Sequence, residues 1–137
     1  MDGLTAAASV IAVLQLTASV IGYLNDVQNA PKECRQCTIE ACKIQTLLTN
    51  LRFRLEDVQA GRPWFAAVQA LDIENGPLDQ YKQALEQLLS MVETQHDIQK
   101  VKRRLLWNFK KDEVVSILAR MERLKSLVST ALANDLL

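Results

Sequence analysis

From Gly3 to Asn25 the chain carries no charged side chain, and its apolar residues recur with a helical period. On a wheel of 100° per residue, Leu4, Ala7, Val10, Ile11, Val13, Leu14, Ala18, Val20, Ile21 and Leu24 fill a broad apolar arc. Thr5, Ser9, Gln15, Ser19 and Asp26 form a weakly polar strip. The pattern predicts a first helix over about 3–25. A surface helix would ordinarily carry Lys and Glu on that strip, so this one is either packed on most sides or able to leave water. As a helix it would measure about 35 Å, against about 30 Å for a bilayer core. It is not a simple anchor, because Thr5, Ser9, Gln15, Thr17 and Ser19 interrupt it and Ala stands where Leu is usual. The first basic residue is Lys32, so no nearby cation fixes an orientation.

Pro31, a residue suited to a helix's first position, opens a second predicted helix that runs to about Ala60. Its seam is Cys34, Cys37, Ala41, Ile44, Leu48, Leu51, Leu55 and Val58, a heptad alternation of three and four. Gly61, Arg62 and Pro63 break it, and Trp64, Ala67, Val68 and Leu71 suggest a short helix over one end of the core. After a second break at Asn75, Gly76 and Pro77, the residues Leu78, Tyr81, Leu85, Leu88 and Val92 predict a third long helix. It extends from Pro77 to Gln95 or somewhat beyond, with Asp79, Glu86 and Glu93 on its outer face. A basic segment follows, and then Asp112 and Glu113 begin a fourth helix, where acidic residues suit the first turn. Val114, Ile117, Met121, Leu124, Val128 and Ala131 form its seam, ending near Asn134. The expected fold is all-α, one domain over 1–137: an antiparallel four-helix bundle with an additional short helix.

Composition agrees with that class: 137 residues, 49% hydrophobic, with four Gly and three Pro, suffice for one helical core. The net charge is zero but unevenly spread. Residues 1–60 hold five basic and six acidic groups, 61–99 two and six, and 100–137 nine and four. Attraction to polyanions therefore belongs to the last third. No basic leader region precedes the apolar stretch, since Asp2 stands there, so no secretory signal is expected. Cys34, Cys37 and Cys42 crowd one predicted helix, which argues against a disulfide framework and for a reducing compartment.

Candidate chemistry is sparse. Cys34 and Cys37 have a redox-like spacing but fit the heptad seam, and a metal site would need further ligands. His96 is the only histidine and has no evident nucleophile as partner. The four glycines stand apart, with no phosphate-cradling loop. Neither an enzyme, a catalytic residue, a cofactor nor a metal site is expected. The basic segment is more distinctive: Lys100, Lys102, Arg103, Arg104, Lys110 and Lys111 are interleaved with Leu105, Leu106, Trp107 and Phe109. Cations beside aromatic rings suit a membrane interface, and six of them give an upper bound of about 6 kcal/mol on an anionic leaflet. The competing reading is a solvated face with Trp107 and Phe109 closing the core. Nucleic acid is a weak third option and is not expected as a partner.

Five stretches in order carry a resemblance over nearly the whole chain. They are the opening with Ala8 to Gln15, the Asn29-Ala30-Pro31-Lys32-Glu33 junction, Gly76 to Tyr81, Arg103 to Trp107, and Arg120 to Lys125. Together they resemble the HeLo-like N-terminal domain of fungal NOD-like (STAND) receptors. The resemblance implies a helical cell-death effector domain of innate immunity or heterokaryon incompatibility, followed by a nucleotide-binding oligomerisation module. Clustering would release the N-terminal helix into the plasma membrane and permeabilise it. Carried over, the inserting positions would be Leu4, Val10, Ile11, Val13, Leu14, Ile21 and Leu24. Lys100, Lys102, Arg103, Arg104, Lys110 and Lys111 would bind lipid headgroups.

The expected function is thus a membrane-targeting, permeabilising effector, cytoplasmic at rest and at the plasma membrane when active. Its partners would be anionic lipids and further copies of itself. Gln15, near the middle of the first helix, would then need a pore lumen or a neighbouring helix. The alternative is a scaffold or adaptor whose apolar first helix docks a partner helix and never meets lipid.

Overall fold

The computed structural model describes residues 3–27, 30–57, 63–97, 102–107 and 111–134. Five helices account for most of them: α1 (Gly3–Asn25), α2 (Lys32–Asp57), α3 (Pro63–Leu71), α4 (Pro77–Met91) and α5 (Lys111–Asn134). The class is helical, as the periodicity predicts. The predicted seams are the buried stripes. Cys34, Cys37, Ala41, Ile44, Leu48, Leu51 and Leu55 are buried along α2, and Val114, Ile117, Met121, Leu124, Val128 and Ala131 along α5. Leu78, Tyr81, Ala84, Leu85, Leu88 and Met91 are buried along α4. Val58 and the break at Gly61 and Arg62 lie outside the described residues.

α1 packs on α2 and α4, α5 packs on the same two helices, and α3 packs on α5 with its Val68 and Leu71 buried. Side-chain bonds that join these helices include Thr17 with Tyr81 between α1 and α4, Glu40 with Lys125 between α2 and α5, and Gln87 with Arg120 between α4 and α5. Burial of the apolar stripes, at about 25 cal/mol per Å², stabilises the packing, and these polar pairs fix which residues face each other.

Two boundaries differ from the expectation. α2 begins one residue after Pro31, whose carbonyl accepts the Arg35 N–H at 3.1 Å. Proline has no N–H to leave unsatisfied there, so it suits the edge of the first turn. More consequentially, α4 stops at Met91. Val92 turns extended (φ −94°, ψ 111°), and residues Val92–Asp97 form β1 instead of prolonging the helix to Gln95. Strand β2 (Lys102–Trp107) pairs antiparallel with it, in a register from Val92 opposite Trp107 to Asp97 opposite Lys102. β-Branched Val92 and Thr94 favour this extended state. The cause is non-local, because β1 finds its hydrogen-bond partners in residues beyond a reversal of the chain.

Candidate functional site

The site is built on α1 and the groove that holds it. Ala6, Val10, Val13, Thr17, Val20, Leu24 and Val27 are buried, at alternating intervals of four and three. This stripe is narrower than the arc on the helical wheel. Of the positions expected to insert, Val10, Val13 and Leu24 lie in the core, and Ile11, Leu14 and Ile21 are half-buried at its margin. The side chain of Leu4 lies outside the described residues. The outer surface, with Ala8, Ala12, Gln15, Ala18, Ser19, Gly22, Tyr23 and Asn25 exposed, is uncharged and, apart from Gln15, Tyr23 and Asn25, made of small residues. Gln15 therefore meets water in this state.

Thr17 is the one buried residue of the polar or charged types among the described residues. Its hydroxyl donates to the Val13 carbonyl at 2.8 Å and lies 2.8 Å from the Tyr81 hydroxyl of α4. Tyr81 is itself fully buried, and burial holds its phenol protonated far above the ordinary tyrosine range. The sequence places Tyr81 in the α4 seam but shows Thr17 only as an interruption. The signal was its position, four residues after Val13 and three before Val20, in step with the buried stripe.

A tight turn seats Tyr81. Asn75 adopts a left-handed conformation (φ 59°), its N–H donates to Asp79 Oδ2 at 2.9 Å, and Gln80 Nε2 donates back to the Asn75 carbonyl at 3.0 Å. Gly76 precedes Pro77 at the first helical position, and its N–H donates to the Ile73 carbonyl at 2.9 Å. Leu78 then enters the core one turn before Tyr81.

The structure divides the basic segment. Lys102, Arg103 and Arg104 stand in β2 at register positions opposite Asp97, His96 and Gln95. Lys111 opens α5 and is exposed. Lys100, Lys110 and Phe109 lie outside the described residues.

The cysteines follow the packing reading. Cys34 and Cys37 are buried and reduced, while Cys42 is exposed. Burial pushes the Cys34 thiol up, and burial first, with the neighbouring Cys34, Glu33 and Glu40, pushes Cys37 to about 12. Both are therefore protonated and poor nucleophiles at neutral pH. Among the described residues, no cluster of His, Cys, Asp or Glu has the makings of a metal site. No protein-family model, curated protein or solved structure matches the chain.

Proposed function

We propose that the chain is an antiparallel four-helix bundle of the HeLo-like kind, a membrane-permeabilising effector domain whose N-terminal helix leaves the bundle when copies are clustered. The cycle of contacts from α1 to α2, α5, α4 and back to α1 supports the bundle. The observation that carries the function is the state of α1. Ala6–Asn25 is long and apolar enough to cross a membrane, yet only 28% of it is buried. A core helix that passes the same test is ordinarily mostly buried. Here an uncharged helix is held by one buried stripe with half-buried margins, and its exposed face, which includes Gln15 and Tyr23, carries no charge. After release, Val10, Val13, Leu14, Ile21 and Leu24 would meet lipid, and Gln15 would face a second copy or a lumen. Lys102, Arg103, Arg104 and Lys111, with Lys100 and Lys110, would recruit the domain to anionic headgroups. In this reading the domain is cytoplasmic at rest, a nucleotide-binding module of the receptor provides the clustering, and no catalytic step is involved.

The test is dye release from anionic vesicles carrying the chain at high density through a C-terminal tag, comparing wild type with Leu14→Asp. Leu14 is half-buried against the core, so the fold of the variant is checked by circular dichroism; in the membrane its charge faces about 2.5–3.5 kcal/mol for mid-bilayer placement. Release by wild type and its loss in the folded variant are expected; equal release from both would sink insertion.

A second reading, an adaptor domain, draws on α2. Ile39 (55% exposed) and Phe53 (65% exposed) stand on the outer side of α2 with Cys42 and Thr46, Ile39 beside Lys32 and Arg35, a surface that would suit a partner helix.

A further inference from the structure

The Thr17–Tyr81 pair has a direction that the distances determine. A carbonyl has no proton to give, so the 2.8 Å bond between Thr17 Oγ1 and the Val13 oxygen consumes the only hydroxyl proton of Thr17. Tyr81 must therefore donate to Thr17 in the second 2.8 Å contact. Both residues are fully buried, so no water stands ready to replace either bond.

This direction makes the two helices unequal. If α1 slides or rotates within a closed bundle, Tyr81 loses its acceptor while still dry, the costly way to break a hydrogen bond. If α1 leaves altogether, Thr17 carries its satisfied hydroxyl with it, bonded one turn back along its own helix, and presents no orphan donor to hydrocarbon. Tyr81 stays on α4, where water enters the vacated groove. We infer that the Thr17–Tyr81 pair is a register catch: it resists partial displacement of α1, leaves neither helix with an orphaned donor after full release, and so makes the helix's departure all-or-none. The release itself rests on the function proposed above, whereas the catch is a property of the bundle.

Amide hydrogen exchange in plain buffer on wild type, Thr17→Val, Tyr81→Phe and the double variant tests it. Thr17→Val keeps the shape but strands the Tyr81 donor, and α1 amides should exchange roughly 10-fold faster while those of α5 change little. Tyr81→Phe leaves Thr17 satisfied by Val13, so its effect should be smaller, only a few-fold. The double variant should exchange more slowly than Thr17→Val alone, because the stranded donor is gone. Equal acceleration in all helices, or effects that simply add in the double variant, would overturn the catch. Dye release from anionic vesicles by the same four proteins separates the two claims. If exchange follows the predicted order and no protein releases dye, the catch stands and the membrane function falls. If wild type releases dye but the exchange order fails, the function stands and the catch falls.

Discussion

Gly76 shows how one residue sets the position of a distant contact. A Cβ built there would lie 2.7 Å from Ile73 Cγ1 and 2.8 Å from the Ile73 carbonyl oxygen, both inside contact distance. Ile73 is exposed and its side chain has room to move, but the oxygen belongs to the turn that starts α4. Gly76→Ala should therefore cost about 1–3 kcal/mol in urea denaturation, and Ile73→Ala in the same chain should recover only part of it. Full recovery would show that the turn's backbone is not what excludes the methyl group. The Gly76 to Tyr81 stretch is legible as a helix start from Pro77 and the seam. The reason for glycine is not, because nothing local to Gly76 shows that the Ile73 carbonyl folds back over it.

At the scale of elements, the helices read well where burial has one period. The α2 and α5 seams predicted from spacing are the buried stripes throughout their described lengths. The α4 stripe misled at its end, because Val92 continues the three-and-four alternation and yet begins β1. Periodicity reports which side is apolar; it does not register a partner strand that begins at Lys102. The α1 arc was too broad for the opposite reason, since its exposed face carries no charge to mark it. Between α2 and α5, Glu40 accepts from Lys125 Nζ at 2.9 Å, and this bond holds the Glu40 carboxyl below the ordinary glutamate range. A carboxyl whose folded pKa is depressed contributes stability above its unfolded pKa and loses it as pH falls through the native value. In thermal melts, wild type should exceed Glu40→Gln by no more than about 1 kcal/mol at neutral pH, since both side chains are partly exposed. The gap should close below about pH 4. A gap that persisted in acid would mean that the glutamine substitution acts through packing and not through the ion pair.

For the whole molecule, the decisive quantity is the difference between two environments for α1. In the resting fold one stripe of the helix is dry and its outer face is wet. In a bilayer the same outer face, without charge, would face a neighbouring helix or a lumen, while the former core stripe and its margin at Leu14 would face lipid. The helix was visible as the anomalous stretch of the sequence, but the narrowness of its contact was not. That depends on how α2 and α4 are spaced, which no residue in α1 encodes. The most direct test is an environment-sensitive fluorophore at Leu14→Cys in a Cys42→Ser background, a half-buried position at the margin of the core stripe that insertion would turn to lipid. A matching label at Leu127→Cys on α5 serves as the reference. With the chain clustered on anionic vesicles, the α1 label should shift to the blue and be quenched by acyl-chain quenchers, while the α5 label stays aqueous. An α1 label that remained aqueous while the vesicles leaked would contradict insertion of this helix.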